Sequence, residues 1–184
     1  DKYNLTNVDN YHLYAVSTNT AEGGLDYNIK DNGGDDTYNI KNSNRIDIYD
    51  ETLESDTKKK NTFNLTSSNN STIYADKNST SKSQNTYNIV SSKNIEINDY
   101  GTSDDKYTVK KLDKNTTLEI NDEGGNDSLI ISGAKKNDIV FMAYTKDNVN
   151  SDSLFMYDTK NGGYVNIDNY FTIADSKYTN TSTG

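Results

Sequence analysis

Cysteine and proline are absent from this chain of 184 residues, and histidine occurs once, at His12. Without cysteine there is no disulfide framework, no thiolate metal site and no cysteine nucleophile. His12 would need a partner to act as a base or a metal ligand, and its neighbours Tyr11 and Leu13 are typical of structural positions. Neither a GxSxG nucleophile motif nor an HExxH zinc motif occurs. The sequence therefore predicts that the chain is not an enzyme.

Apolar residues are also scarce, at 31% of the chain, and the net charge is −9. No run approaches the roughly 18 apolar residues of a membrane span. The opening residues, DKYNLTNVDN, lack the basic and apolar regions of a signal peptide. We therefore expect no transmembrane segment, and either a piece of a longer protein or a product exported by another route. Nucleic acid would be repelled by the acidic chain, so cations are the expected partners.

Short strand-like segments recur along the chain in two alternating sets. The first set reads TYNI (37–40), TFNL (62–65), TYNI (86–89), KYTV (106–109) and SLII (128–131). Each segment of the second set ends in aspartate, at Asp31, Asp50, Asp76, Asp99 and Asp122. Two strands therefore recur about every 23 residues, as in repeat proteins. With 15 tyrosines, such a repeat predicts a thin, elongated core.

Alternation of apolar and polar residues assigns the two faces of each strand. The inward residues that lead the first set are Tyr38, Phe63, Tyr87, Tyr107 and Leu129. For the second set we predict an inward column of Ile29, Ile48, Ala75, Ile97 and Ile120. A slip of one residue would turn each of these outward. The pattern predicts an all-β, right-handed parallel β-roll or β-solenoid with two strands per coil.

The ends of the chain depart from the repeat. We predict an N-terminal coil or cap at 1–26, repeats at 27–133 and a mobile tail at 174–184. Residues 134–173 alternate in short runs and carry a glycine pair at Gly162 and Gly163. That pattern predicts antiparallel hairpins that cap the open end of the stack.

The turns from the second set to the first are acidic and contain glycine in three coils: DNGGDD (31–36), NDYGTSDD (98–105) and DEGGND (122–127). Carboxylates on a tight turn suit Ca²⁺, which prefers oxygen ligands, and glycine lets the backbone turn sharply. The corresponding turns at 51–61 and 77–85 lack the pattern. Ordinary solvated turns are the alternative interpretation, because aspartate and glycine are common turn residues.

The acidic turns resemble the nonapeptide G-G-x-G-x-D-x-U-x of the RTX (repeats-in-toxin) family, where U is a large apolar residue. Two turns match from the glycine to the apolar position: Gly34, Asp35, Asp36 and Tyr38, and Gly125, Asn126, Asp127 and Leu129. The turn at 99–107 has Ser103 where the glycine belongs. The segment 137–171 is similar to the strands that close RTX repeats.

The resemblance implies calcium ions held between successive turns, by aspartate carboxylates and backbone carbonyls. Because the turns on the other side lack the motif, it implies fewer ions than a complete roll would hold. The sharpest candidate site lies between two adjacent turns, with Asp105 and Asp127 as the strongest ligands, and involves Asp99, Asp104, Asp105, Asp122, Gly124, Gly125, Asn126 and Asp127. A second candidate joins Asp31, Gly33, Gly34, Asp35 and Asp36 with Glu51, Glu54 or Asp56.

By this resemblance we expect a calcium-binding module of a larger bacterial protein, secreted or held at the cell surface. It would fold on Ca²⁺ binding after type I secretion. The parent would be a surface-layer protein, an adhesin or a toxin, with neighbouring copies or host-surface molecules as further partners. The alternative is a metal-free β-helical adhesin or fibre segment that binds glycans or a host surface. A carbohydrate-active β-helix would need a carboxylate cluster on one outer face.

Overall fold

In the computed structural model the chain folds almost wholly into β-strands. The structure describes residues 2–16, 28–30, 35–50, 59–76, 83–145, 151–174 and 177–180. Within these ranges the one helical element is a 3₁₀ turn at Lys136–Asp138, and no helix is long and apolar enough to span a membrane. The strands are β1 (Lys2–Thr6), β2 (Asp9–Val16), β3 (Asn28–Lys30), β4 (Thr37–Lys41), β5 (Asn44–Asp50), β6 (Lys60–Thr66), β7 (Ser71–Ala75), β8 (Gln84–Val90), β9 (Ile95–Asp99), β10 (Lys106–Lys110), β11 (Thr117–Asp122), β12 (Ser128–Ser132), β13 (Ile139–Thr145), β14 (Ser151–Asp158), β15 (Tyr164–Ala174) and β16 (Lys177–Asn180).

The strands form two sheets that face each other across the core. Sheet A has the order β1-β4-β6-β8-β10-β12, and sheet B runs β3-β2-β5-β7-β9-β11-β15-β14-β13, with β16 paired to β15. The pairs between successive coils are parallel, and the last strands of sheet B are antiparallel. The predicted fold class is confirmed: the chain is a parallel β-solenoid with two strands per coil and an antiparallel cap.

The register of sheet A confirms the predicted aromatic column. Tyr38 pairs with Phe63, Phe63 with Tyr87, and Tyr87 with Tyr107, which in turn pairs with Leu129. The rings stack with centroids 4.8 to 5.0 Å apart, close to the spacing of neighbouring strands. The first three of these side chains are fully buried. Stacked rings therefore form half of the core along the axis of the solenoid.

The register of sheet B corrects two members of the other predicted column. Ile48 pairs with Ile73, and Ile73 with Ile97, whereas Ala75 lies two positions further along β7, beside Asp50 and Asp99. Because side chains alternate with a period of two, this shift leaves Ala75 inward and buried. Ile29 pairs with Ala15, since β2 takes the place beside β5 and β3 lies outside β2.

Polar ladders cover the outer face of sheet A. Asn39 donates to Asn4, Asn64 to Asn39 and Asn88 to Asn64, through side-chain amides 2.8 to 3.0 Å apart. At the corners between the two sheets the backbone turns through left-handed residues, such as Asn42 and Ser67. Short polar side chains tolerate this conformation better than bulky ones. The Asn- and Ser-rich segments of the sequence are therefore structural.

The cap continues sheet B beyond the last repeat. Strand β15 pairs in parallel with β11, placing Val165 beside Leu118, and it pairs antiparallel with β14 and β16. Its hairpin with β14 turns at the predicted glycine pair. A Cβ on Gly163 would lie 2.2 Å from the carbonyl oxygen of Asp113. Strand β16 lies where the sequence predicts a mobile tail, and residues 181–184 lie outside the described ranges.

Candidate metal centre

One edge of the solenoid, here called the acidic edge, brings two columns of polar residues together inside the fold. The first column stands two positions before the inward aromatic of each sheet A strand, and the second stands at the ends of the sheet B strands. The first column is Asp36, Asn61, Asn85, Asp105 and Asp127, and the second is Asp50, Ala75, Asp99 and Asp122. The turns of the coils thus place carboxylates at the border of the apolar core.

The first column is tied together by hydrogen bonds from backbone to side chain. The amide of Asp36 donates to Asn61 Oδ1 at 3.2 Å, and that of Asn85 donates to Asp105 Oδ1. The amide of Asp105 donates to Asp127 Oδ1 at 2.8 Å. Asn61, Asp105 and Asp127 therefore each cap a backbone amide of the preceding coil, and an amide oxygen serves as well as a carboxylate oxygen.

Tyrosines of the core reach across to the second column. The hydroxyl of Tyr87 donates to Asp99 Oδ2, and that of Tyr107 donates to Asp122 Oδ2, each at 2.6 Å. In the coil between β6 and β7 the corresponding residues are Phe63 and Ala75, which have neither the hydroxyl nor the carboxylate. A buried hydroxyl needs an acceptor, so tyrosine and aspartate occur together in these coils.

The carboxylates crowd most closely at the end of the acidic edge nearest the cap. One oxygen from each of Asp105, Asp122 and Asp127 lies within 4.8 Å of the others. Asp105 is only 2% exposed, and its Oδ2 has no hydrogen-bond partner among the described residues. A buried carboxylate oxygen without a partner is costly, so this oxygen is available to a cation.

Burial and mutual repulsion raise the pKa of all three carboxyl groups. The pKa of Asp105 rises to about 10, chiefly because the group is buried and secondly because the charge of Asp99 is near. The pKa of Asp122 rises to about 7 and that of Asp127 to about 6, again chiefly through burial. Without a counterion the cluster therefore retains protons at pH values where exposed aspartates are ionised.

The donor set fits a hard divalent cation. Ca²⁺ takes six to eight oxygen ligands, and three carboxylates offer up to six. The supporting turn is tight: the amide of Gly124 donates to Asp122 Oδ1 at 3.0 Å, and a Cβ on Gly125 would lie 2.0 Å from the carbonyl oxygen of Ser103. Gly125 also has φ +123°, a conformation that favours glycine. The arrangement can bind a cation or share protons.

Elsewhere the acidic edge supplies some of its own partners, although Asp50 Oδ2 also has no hydrogen-bond partner among the described residues. Asn85 donates from Nδ2 to both Asp76 and Asp99, at 2.8 and 2.9 Å. Near β5, the pKa of Asp50 is raised by burial first, then by the charges of Asp36 and Asp76, and is lowered by Lys59. Lys59 is itself buried, with 5% of its surface exposed. The Asn85 amide thus donates hydrogen bonds to one group of carboxylates, and the Lys59 ammonium offsets part of the charge of the other.

The structure brings some of the predicted site residues together and separates others. Asp105, Asp122 and Asp127 meet in the cluster, while Asp99 faces Tyr87 and Asn85 instead. Asp104 and Asn126 are exposed and hydrogen-bond to each other through a backbone amide, and Asp35 is exposed beside the buried Asp36. Of the second predicted site, Asp31, Gly33, Gly34, Glu51, Glu54 and Asp56 lie outside the described residues.

Sequence reasoning passed over the residues that serve the carboxylates. Asn85, Lys59 and Asp76 belong to turns without the acidic glycine pattern and were not predicted to take part. The tyrosines of the core were predicted only as packing. The sequence does contain a signal that tyrosine and aspartate occur together. Asp99 follows Tyr87 by twelve residues, and Asp50 follows Tyr38 by the same separation, whereas Ala75 follows Phe63.

Comparisons with family models, with curated proteins and with solved structures gave no match to this chain.

Proposed function

We propose that the chain is a calcium-binding β-solenoid module in which the ion stabilises the fold at the end nearest the cap. The observation that carries the proposal is the cluster of Asp105, Asp122 and Asp127, in which a buried oxygen of Asp105 has no partner among the residues that the structure describes. The ligands would be these carboxylates, joined by backbone carbonyls of their turns. A bound cation would offset both the burial and the mutual repulsion that raise their pKa values.

Ion binding would be coupled to folding. In the unfolded chain these aspartates are separated and solvated, so a high-affinity site exists only in the folded state. A ligand that binds the folded state alone stabilises it by mass action, by about 2.7 kcal/mol when its concentration is 100 times Kd. The thin core makes this contribution significant, because domains of this size have small net stabilities.

The setting proposed for the module is a larger bacterial protein that is exported by type I secretion and folds outside the cell. The resemblance of the turns and of segment 137–171 to the RTX family supports this setting. The solenoid and its acidic cluster are compatible with it. Little free calcium inside the cell would leave the chain unfolded for export, and calcium outside would let it fold. A surface-layer protein, an adhesin or a toxin is the proposed parent.

A second candidate, a metal-free adhesin or fibre segment that binds glycans or a host surface, is favoured by the amide ladders. Asn4, Asn39, Asn64 and Asn88 form a continuous polar strip on the outer face of sheet A. Within the acidic edge, Asn61 and Asn85 replace carboxylates. Hydrogen-bonded asparagine ladders stabilise stacked strands without any metal.

Calcium dependence separates the two candidates. Titration calorimetry should show saturable heat on adding Ca²⁺ to chelator-treated protein, and Tm should rise with calcium concentration. Mg²⁺ is the matched control, because it is smaller, demands octahedral geometry and gives up its waters reluctantly. Absence of heat, together with the same Tm in chelator and in millimolar Ca²⁺, would reject the calcium proposal. Glycan binding retained in chelator would then favour the second candidate.

A further inference from the structure

The two sheets end at different places near the cap. Sheet A ends at β12, whereas sheet B continues past β11 through β15, β14 and β13. Among the described residues no strand lies beside β12 on the side away from β10. The inner surface of the cap therefore faces a position in sheet A at which the solenoid has no strand.

A cavity of about 830 Å³ occupies this position. The volume is within the range of about 300 to 1,000 Å³ typical of ligand sites. Its walls are mainly apolar and come from both β12 and the cap: Leu129, Ile131, Ile139, Leu154, Met156 and Ile167. The cavity therefore has apolar walls on two sides and the backbone edge of β12 at its border.

The side chains of β12 show what is missing. Leu129 and Ile131 continue the inward columns of Tyr107 and Val109, which are buried because another strand lies beyond them. Leu129 and Ile131 remain only partly buried. An added strand that ran parallel to β12 would cover both, and would pair with the free N–H and C=O groups of its edge.

A second copy of this chain does not fit the position. Stacking a whole coil on this end would place a sheet B strand beside β11, and β15 already pairs there. The cap thus closes sheet B while leaving sheet A open. The space accepts one extended segment with nothing attached on the sheet B side.

The charge at the border of the cavity indicates which charge the added segment should carry. Four acidic residues contribute to the lining, Asp122, Glu123, Asp127 and Asp168, against one basic residue, Lys136. Such a border favours a segment with lysine or arginine, because opposite charges attract across a partly desolvated site. Acidic segments would be repelled.

We infer that β12 and the cap form a docking site for an extended peptide segment with alternating apolar residues and a basic flank. The segment adds as one parallel strand to the free edge of β12, with two apolar side chains in the cavity. Main-chain hydrogen bonds supply affinity, and the cavity together with the acidic border supplies specificity. The inference does not depend on a bound ion, because the edge of β12 and the apolar walls do not belong to the acidic cluster, and neither do Glu123 and Asp168 of the border.

The test uses a blocked synthetic peptide, KYTVK, which copies Lys106–Lys110, the strand that pairs with β12 on its other side. Binding is measured by fluorescence anisotropy of the labelled peptide. The buffer contains millimolar Ca²⁺, so that the protein is folded whether or not it needs the ion. We expect saturable binding, weakened about tenfold or more when the backbone nitrogens that face β12 are methylated. Replacing both lysines by glutamate should weaken binding about threefold or more.

Two variants locate the site on the protein. Ile131→Lys fills the cavity with a charged chain and should abolish binding, whereas Ile130→Lys should retain it, since Ile130 points outward and is 45% exposed. If Ile131→Lys does not fold, the methylated peptide decides alone. The inference would be overturned if KYTVK did not bind, or if its methylated form bound equally well. It would also be overturned if the protein associated with itself through this site and so displaced the peptide, or if an alkylammonium ion bound there without the peptide.

Discussion

The two ends of the acidic edge handle buried carboxylates in different ways. Near β5, burial first and then the charges of Asp36 and Asp76 raise the pKa of Asp50, and the buried Lys59 offsets part of that rise. Near the cap, Asp105, Asp122 and Asp127 meet, and no lysine is among the largest causes of their pKa shifts. The comparison teaches that one repeat can carry its counterion in the chain while another depends on a proton or an external cation.

The coils between these ends show a third arrangement. Asn61 and Asn85 stand in the column that holds Asp36, Asp105 and Asp127 elsewhere. Asn85 satisfies two carboxylates with one amide group. An amide has the shape of a carboxylate without the charge. The first column of the acidic edge can therefore continue through these coils without a cation. Charge, and not shape, therefore distinguishes the end nearest the cap from these middle coils.

The largest expected effect comes from adding a side chain to the tight turn that supports the cluster. Gly125→Ala would place a Cβ 2.0 Å from the carbonyl oxygen of Ser103, at φ +123°. We expect a loss of about 3 kcal/mol in the free energy of unfolding, measured by chemical denaturation in Ca²⁺. Gly124→Ala is the matched control, because its nearest neighbour would be 3.8 Å away. Equal losses for both variants would contradict this account of the turn.

Asp105→Asn tests whether charge defines the site. The substitution copies Asn61 and Asn85 in the same column. We expect it to raise the free energy of unfolding in chelator by about 2 kcal/mol, because folding then no longer has to bury a charged carboxylate or to protonate it. Calcium affinity should fall about 100-fold or more. Asp104→Asn is the control, since Asp104 is exposed, and it should change stability by less than about 0.5 kcal/mol. Retained affinity in Asp105→Asn would place the ion elsewhere.

Lys59→Met tests the opposite end. Methionine keeps much of the volume of the buried chain and removes the charge that lowers the pKa of Asp50. We expect a loss of about 2 kcal/mol at neutral pH, with a smaller loss in acid, where Asp50 is protonated. Lys60→Met, at the exposed neighbouring position, should cost less than about 0.5 kcal/mol. If both variants behave alike, Lys59 is not the internal counterion.

The contrast also predicts the pH dependence in chelator. The carboxyl groups of Asp127, Asp122 and Asp105 have pKa values raised to about 6, about 7 and about 10. The folded state therefore binds more protons than the unfolded state above pH 4. Stability should be greatest near pH 4 and fall through this range, by at most about 1.4 kcal/mol per pH unit for each group. In saturating Ca²⁺ the decline should be small. A stability that rises from pH 4 to pH 8 in chelator would contradict the shifts.

The aromatic column was the most predictable part of the fold. Strict alternation and repeated TYNI-like segments fix which residues face inward, and the register of Tyr38, Phe63, Tyr87 and Tyr107 follows. Placement of Ala75 and Ile29 was not predictable in the same way. A shift of two residues preserves every face, and local pattern does not tell which strand of a sheet lies beside another.

The candidate site was predictable in its acidic turns but not in its composition. Asp105 and Asp127 follow from two adjacent turns with the same pattern. Asp122 was predicted as a member together with Asp104. The exclusion of Asp104 depends on which side of the turn each carboxylate takes, and neighbouring residues in an extended segment point to opposite sides. The counterion role of Lys59 requires a tertiary contact between coils, which no local pattern contains.

The smallest effect concerns the tyrosine and aspartate pairs of the core. Tyr87→Phe leaves the Asp99 carboxylate without one donor, and Asp99→Ala leaves the Tyr87 hydroxyl without its acceptor. Each should cost about 1 to 2 kcal/mol, because a buried polar group loses its partner. The natural pair Phe63 and Ala75 shows that the coil accepts both apolar residues together. The double variant should therefore cost less than the sum, by about 1 kcal/mol in a double-mutant cycle of unfolding free energies. Strict additivity would mean that the pair is not coupled, and that the alternation of Tyr–Asp with Phe–Ala reflects packing alone.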